Sequence, residues 1–265
     1  MLNFDICFRS TFLRRDVSVC WNETAYAPPR EIEDRVARLW KSALAKASHH
    51  GQSLFAGPLC RLDDHQIAGD RLFLSLSMTD YRDLQGTSGS AWPGGLPRAA
   101  RADGIGVNSA IVTADRQLVL VRRSESVYES PGTIDTGGGH IDPMSHRSGG
   151  RPDPFAAIES EIRDEFGLVQ SELEETRLLG LARHRPGGKP ELLFLAEISL
   201  PFSVLPGRLG SAIEGSETAE LMAVPLVDAE AALIAHEHEL SPSGQASIYF
   251  ALREWERTGT LDRAR

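Results

Sequence analysis

The sequence has few cysteines, no long apolar run and no excess of positive charge. Its three cysteines, Cys7, Cys20 and Cys60, are odd in number and lack metal-ligand spacing, so we expect free thiols in a reducing compartment. No apolar run approaches the roughly 20 residues of a membrane span, and Arg9 comes too early for a secretory signal. These absences predict a cytoplasmic protein without a membrane-spanning segment.

The charge balance excludes another class of partner. The chain of 265 residues carries 37 acidic and 28 basic side chains, a net charge of −9. Such a chain is a poor match for a nucleic-acid polymer or an anionic membrane. A small anionic ligand remains possible if a metal or local arginines receive it. We therefore expect a small-molecule partner, and the composition gives no indication of the oligomeric state.

Strand and helix patterns alternate along the chain and predict an α/β protein with a mixed sheet. "FDICFRSTF" is expected to be a strand, and residues 28–51 an amphipathic helix. Residues 85–104 are rich in Gly, Pro and Ser and predict a boundary. We therefore divide the chain into an N-terminal α/β extension, residues 1–100, and a main domain, residues 101–265. Hairpins are predicted at 104–124 and 178–200, and a final helix at 241–259.

One predicted helix carries an unusual face. Asp153 and Pro154 suit its start and Gly167 suits its end. Four apolar residues recur at helical spacing and mark its buried side: Phe155, Ile158, Ile162 and Phe166.

A different face of this helix gathers Glu161, Asp164 and Glu165. Like charges at this spacing cost roughly 0.2–0.5 kcal/mol per pair, and the helix dipole disfavours negative charge near the C-terminus. Glu159 and Arg163, by contrast, are placed four apart to form a salt bridge. The three carboxylates are either a solvated surface or a functional site.

At this point the sequence resembles the Nudix hydrolases. Their motif is Gly, five residues, Glu, seven residues, then Arg-Glu-apolar-x-Glu-Glu-x-Gly-apolar. Ser160 to Leu168 reads "SEIRDEFGL", and Gly139 in "GGGHIDP" takes the place of the motif glycine. Ser160 replaces the arginine and Asp164 the first glutamate of the pair, and the early glutamate has no counterpart. Twenty residues separate Gly139 from Ser160, roughly seven more than the motif allows.

These departures make the chain similar to a subgroup, the Nudix enzymes that cleave UDP-glucose and UDP-galactose. That subgroup shares a segment like "TDYRDLQGTS", an Arg-Arg pair at a strand end, a lengthened loop and a motif without its arginine. The resemblance implies a Nudix-type α/β/α sandwich. The helix bracing that the arginine and the early glutamate supply in the family must come from elsewhere.

The resemblance implies a metal site among the carboxylates. Glu161 and Glu165 would bind the ion directly, Asp164 would serve a second ion or a bridging water, and the Gly138 carbonyl would add a ligand. The expected ion is Mg²⁺, with Mn²⁺ as the alternative, because hard cations take oxygen ligands. The catalytic residues would be Glu161, Glu165 and Glu217, with the general base either Glu161 or Glu217.

The remaining candidates concern the substrate. Gly139 is expected to line its site. Arg122 and Arg123 end a strand, and in-and-out alternation allows only one of them to face the site. Tyr81 and Arg82 either contact uracil and phosphate or simply end a strand.

Three residues in a hairpin, Arg183, His184 and Arg185, are expected at the sheet end opposite the motif, in a solubility role.

The implied function is a Mg²⁺-dependent diphosphatase that converts UDP-glucose or UDP-galactose to UMP and a sugar 1-phosphate. Two alternatives stay open. One is the same chemistry on another nucleoside diphosphate compound, such as ADP-ribose or a dinucleotide. The other is a sensing module that has kept the fold and lost turnover.

Overall fold

A computed structural model describes residues 2–88, 92, 95–185 and 187–260. This part of the chain forms thirteen strands and six α-helices. The strands are β1 (Phe4–Phe12), β2 (Val17–Ala25), β3 (Pro58–Ala68), β4 (Arg71–Asp80), β5 (Gly106–Val112), β6 (Gln117–Arg123), β7 (Ile134–Asp135), β8 (Gly138–His140), β9 (Arg147–Ser148), β10 (Arg151–Pro152), β11 (Leu173–His184), β12 (Pro190–Ile198) and β13 (Thr218–Pro225). The helices are α1 (Arg30–His49), α2 (Tyr81–Thr87), α3 (Pro154–Phe166), α4 (Leu205–Arg208), α5 (Ala229–Ala235) and α6 (Pro242–Thr258).

A mixed sheet forms the centre of the fold, with the strand order β1-β11-β12-β5-β6-β13. β7 pairs with β6, and β8 pairs with β5. β12 and β5 run parallel, whereas β5–β6 and β11–β12 are antiparallel hairpins as predicted. The pairing of β8 sets Gly139 opposite Val107 and His140 opposite Gly106, so the glycine-rich segment lies at the sheet end where β5 begins.

Alternation along the strands divides the core between the two faces of this sheet. On β5, Val107 and Ile111 face one core and Ala110 and Val112 the other. The first core lies under α3 and the second under α6. The four apolar residues predicted for α3 are all at most 1% exposed. Helices on both faces of a mixed sheet confirm the predicted α/β/α sandwich.

The N-terminal strands β2, β4 and β3 form a separate three-stranded sheet. Its leucines Leu62, Leu72 and Leu74 belong to the same core as Val107 and Phe155. This small sheet therefore covers the α3 side of the molecule.

The N-terminal helix α1 is confirmed but lies at the periphery. It packs on α2, where a side chain at Gly86 would overlap Val36. Leu44 on its predicted apolar stripe is 39% exposed, because few elements cover this helix.

The proposed boundary near residue 100 remains a prediction. Residues 89–91 and 93–94 of the predicted linker lie outside the described residues. β1 precedes the boundary and pairs with β11 in the main sheet. The backbone N–H of Cys60 also donates to the Ile141 carbonyl across it, at 2.8 Å.

The structure also bears on the cysteines and on membrane-spanning segments. Cys7, Cys20 and Cys60 are all free thiols, as predicted. Among the described residues, none of the helices combines the length and the apolar character that crossing a membrane requires.

Candidate active site

Helix α3 begins and ends where the sequence predicts. The Asp153 carboxylate accepts a hydrogen bond from the Phe155 N–H at 2.9 Å, which makes it the N-cap. Pro154 takes the first helical position, and Gly167 ends the helix with φ +65°. These caps fix the two ends of the helix and so the positions of its acidic residues along the helix axis.

Arg14 braces the start of this helix. Its guanidinium lies 2.5 Å from the Asp153 carboxylate and 2.7 Å from that of Glu159. The predicted Glu159–Arg163 salt bridge is therefore wrong: Arg163 Nε donates instead to the Glu159 backbone carbonyl at 3.0 Å. The helix receives its bracing from the turn that follows β1, in place of the missing motif residues.

Glu161, Asp164 and Glu165 share one face of α3 and meet two further carboxylates. Glu214 and Glu217 come from a short helical turn before β13, and the Glu214 N–H donates to the Asp164 carbonyl at 2.9 Å. We call these five residues the acidic cluster. The sequence reading named four of them and missed Glu214, although it lies only three positions before Glu217.

The acidic cluster is electrostatically unfavourable by itself. Burial raises the pKa of Glu161 to about 8, and the charges of Glu214 and Asp164 add to the shift. Burial and the neighbouring Glu161 raise the pKa of Glu165 well above its usual range. Burial, followed by Glu217 and Asp164, also raises the pKa of Glu214. Negative charge in the cluster therefore exceeds the positive charge near it.

The glycine-rich segment lies so close to β5 and α3 that side chains would not fit. Gly138 adopts φ +154°, and a Cβ there would overlap the Val107 carbonyl oxygen. A Cβ at Gly139 would overlap the carboxylate of Glu161. The Gly138 N–H points to Glu165 Oε1 at 3.5 Å. Glu165 Oε2 is buried and has no hydrogen-bond partner among the described residues.

These donors fit a hard divalent cation by type. They are all oxygens, and the unpartnered Oε2 of Glu165 is available as a ligand. Within residues 2–88, 92, 95–185 and 187–260, no three Asp, Glu, His or Cys side chains converge closely enough to form a complete ligand set. Mg²⁺ does not require one, since it keeps several waters and takes one or two carboxylates.

The acidic cluster lines a cleft of about 670 Å³, within the range of small-molecule sites. The cleft brings together most of the predicted site residues, although these residues come from distant parts of the chain. Those that line it are Tyr81, Arg123, Gly138, Gly139, Glu161, Asp164, Glu165 and Glu217.

Arg122 and Arg123 point in opposite directions, as alternation predicts. Arg123 lines the cleft, where its Nη2 lies 3.6 Å from Glu217 Oε2. Arg122 is directed elsewhere, and its Nη2 donates to Glu239 Oε2 at 3.0 Å. The assignment of Arg122 to the substrate is therefore corrected.

Tyr81 and Arg82 begin helix α2 and do not end a strand, because Asp80 caps the helix by accepting from the Asp83 N–H at 2.7 Å. Arg82 pairs with Glu33 and Asp83 and does not line the cleft, so its assignment to the substrate is corrected as well. Tyr81 does line the cleft.

A second group of polar residues lines the cleft, and of its members the sequence analysis had named only Tyr81 as a site residue. We call it the polar cluster: Tyr81, Glu129, His140, Lys189, Glu191 and Ser243. The hairpin end that carries Lys189 was expected opposite the motif, and this is wrong. Glu191 pairs with Gly106, and Gly106 pairs with His140, so the parallel β12–β5 pair brings this end beside the glycines.

Comparisons with known proteins point in one direction. No protein-family model matches the chain. A uridine diphosphate glucose pyrophosphatase of Homo sapiens is 32% identical over 63% of this chain and 63% of its own length. The protein of the same name from Bos taurus is 31% identical over 62% and 65%. Nudix hydrolase 9 of Arabidopsis thaliana is 25% identical over 79% and 78%. The chain spans less than two thirds of the length of these mammalian relatives.

Among solved structures, a MutT NUDIX hydrolase from Burkholderia pseudomallei aligns with 55% of this chain and 95% of its own, with 18% identity and a TM-score of 0.37. The sequence relatives and the acidic helix agree: the chain resembles the Nudix hydrolases and, among them, the uridine diphosphate glucose pyrophosphatases.

Proposed function

We propose that the protein is a Mg²⁺-dependent hydrolase that cleaves the diphosphate of UDP-glucose or UDP-galactose to UMP and a sugar 1-phosphate. The observation that carries the proposal is the acidic cluster, five carboxylates in one cleft with the pKa values of Glu161, Glu165 and Glu214 raised. The activity for which the mammalian relatives are named supports this choice of substrate. A cytoplasmic location stays a prediction.

Three groups would hold the cation, namely the carboxylates of Glu161 and Glu165 and the carbonyl of Gly138, and Asp164 would serve a second ion or a bridging water. When bound, a divalent cation neutralises the diphosphate and lowers the pKa of a water molecule. The chain itself supplies the positioning, since α3 is capped at both ends and the glycines leave room beside it.

We favour Glu217 over Glu161 as the general base. Glu217 lies on a turn outside α3 with a side chain 44% exposed, so it can meet a water molecule in the cleft. Burial and the neighbouring carboxylates disfavour ionisation of Glu161, which suits a ligand that ionises only beside a cation.

Arg123 is the cation of the cleft nearest to Glu217, and we assign it to a substrate phosphate. Gly139 would let the substrate approach the backbone. Tyr81 is kept as a substrate contact, although its hydroxyl donates to Glu129 at 2.6 Å.

A sensing module is the second candidate. Ser160 stands where the family has arginine, and its hydroxyl donates to Asp164 Oδ2 at 3.2 Å. This contact uses one oxygen of a proposed metal ligand. A sensor would bind UDP-glucose tightly and leave it intact.

Product analysis separates these functions. The protein is incubated with UDP-glucose, UDP-galactose, ADP-ribose and a dinucleotide, each with Mg²⁺, Mn²⁺ or EDTA, and the products are resolved by chromatography. We expect UMP and hexose 1-phosphate from the UDP-sugars and no reaction in EDTA. Faster cleavage of ADP-ribose would establish the other substrate class, and binding without products at every metal concentration would establish the sensor.

A further inference from the structure

The polar cluster has a geometry that the proposed chemistry does not use. Its two carboxylates are held by several donors. Glu129 Oε1 accepts from the Tyr81 hydroxyl at 2.6 Å, and Glu129 Oε2 lies 3.3 Å from Lys189 Nζ. Glu191 Oε1 accepts from the Ser243 hydroxyl at 3.1 Å. Each group is therefore fixed in place before any ligand arrives.

These groups are charged in the folded protein. Burial opposes ionisation of Glu191, yet His184, Ser243 and Lys189 lower its pKa to about 2. Burial likewise opposes charge on Lys189, and the carboxylates of Glu129 and Glu191 raise its pKa. The cluster thus presents one ammonium and two ionised carboxylates.

Hydrogen-bonding capacity remains unused. An ammonium group has three donors, and one acceptor, Glu129 Oε2, lies near Lys189 Nζ among the described residues. His140 Nε2 is buried and has no partner in the described part of the chain. Buried polar groups are normally satisfied, and both side chains line the cleft, so a ligand is the natural partner.

The types of these groups indicate the chemistry of that ligand. Glu129 and Glu191 offer acceptors, and Lys189 offers donors. Neighbouring hydroxyls fit, because each hydroxyl both donates and accepts.

We propose that the polar cluster is a subsite for the vicinal hydroxyls of a sugar, with Glu191 and Lys189 as its specificity-determining residues. This inference rests on the proposed function, which supplies a sugar-bearing substrate to the cleft. The hydroxyls belong either to the hexose or to the ribose of the nucleotide, and both offer the same chemistry.

The test measures binding by titration calorimetry with excess Mg²⁺. The probes are glucose 1-phosphate, which carries only the hexose, UMP, which carries only the ribose, and inorganic phosphate, which carries neither. The variant is Glu191→Gln, which keeps the shape and removes the charge. Glu239→Gln is the matched control, because Glu239 pairs with Arg122 away from the cleft.

We expect Glu191→Gln to weaken the binding of glucose 1-phosphate or of UMP by roughly 10-fold or more, because this is the usual value of a hydrogen bond to a charged group. Inorganic phosphate binding should not change. The probe whose binding is weakened identifies which sugar occupies the subsite. If the binding of inorganic phosphate is weakened equally, or if the binding of both sugar phosphates is unchanged, the proposal is overturned.

Ser243→Ala provides a milder variant if Glu191→Gln does not fold. It removes one neutral donor to Glu191, so the binding of the same probe should weaken about threefold. Unchanged binding of both sugar phosphates would contradict the subsite. The two proposals can fail separately. If the wild-type protein binds glucose 1-phosphate through Glu191 but hydrolyses no nucleotide sugar, the proposed function is disproved and the subsite is still supported.

Discussion

The acidic cluster and the polar cluster line the same cleft, yet their buried glutamates have opposite pKa shifts. In the acidic cluster, burial and neighbouring carboxylates raise the pKa of Glu161 to about 8. In the polar cluster, Glu191 is more deeply buried than Glu161, yet His184, Lys189 and Ser243 lower its pKa to about 2.

The difference lies in the neighbours and not in the degree of burial. The polar cluster supplies its own counter-charges, so it is complete without an ion and can act through hydrogen bonds. The acidic cluster has five carboxylates against the single guanidinium of Arg123, so it has too little counter-charge of its own. One cleft thus combines a region suited to a cation with a region suited to neutral polar groups.

The strongest way to break this comparison is to remove one carboxylate of the acidic cluster. Glu165→Gln should lower the rate of UDP-glucose hydrolysis by at least about 100-fold, because a lost charge-stabilising contact is typically worth roughly 2.7–4 kcal/mol. EDTA should abolish the activity of the wild type. Glu220→Gln is the control, since Glu220 is 60% exposed beside Arg122. Near-normal turnover of Glu165→Gln would refute the role of this residue.

A second test asks whether the missing charge is a cation. Mg²⁺ should raise the melting temperature of the wild type, since a ligand at 100 times its Kd stabilises by about 2.7 kcal/mol. Glu161→Gln should gain less from Mg²⁺ and should be at least as stable as the wild type without it. Differential scanning calorimetry with and without Mg²⁺ measures both quantities. Equal gains in the two proteins would count against ligation by Glu161.

The pH dependence of stability sharpens the comparison further. The pKa of Glu161 is raised from 4.5 to about 8 in the folded protein. The stability that its bound proton contributes is therefore complete below pH 4.5 and is lost as the pH rises through about 8. In EDTA, the free energy of unfolding measured by urea denaturation should fall across this interval by up to about 1.4 kcal/mol per pH unit. Glu161→Gln should flatten the slope, and an unchanged slope would show that other groups control it.

The smallest expected effect concerns how the acidic helix is held. Arg14→Ala should lower the free energy of unfolding by about 1 kcal/mol, because it removes partly exposed ion pairs to Asp153 and Glu159. Chemical denaturation measures this loss, and Arg15→Ala, whose side chain is 79% exposed, is the matched control. The polar cluster should keep its binding properties. Weaker sugar-phosphate binding in Arg14→Ala would mean that the two clusters are coupled.

The acidic helix could be predicted because its signals are local. Asp153, Pro154 and Gly167 mark its ends, and the apolar spacing marks its buried face. Asp80 gives a similar local signal for α2, which the alternation of the preceding strand concealed.

The polar cluster could not be predicted, because its members come from segments that only the sheet brings together. His140 and Glu191 meet through Gly106, by an antiparallel pairing on one side and a parallel pairing on the other. The same limit applies to Arg122 and Arg123: alternation separates their directions, but only the tertiary structure shows that Arg123 faces the cleft.

Strand β1 has a consequence for how the chain is made. It pairs with β11, with Phe4 opposite His184, 180 positions later. At a synthesis rate of roughly 5–20 residues per second, the ribosome releases β1 about 10–40 s before its partner exists. Phe4 and Phe12, each 2% exposed in the folded protein and placed in different cores, are uncovered during this interval. Both cores are therefore closed late by a strand that is translated long before its partner, and truncation before β11 would leave that strand with an unpaired, aggregation-prone edge.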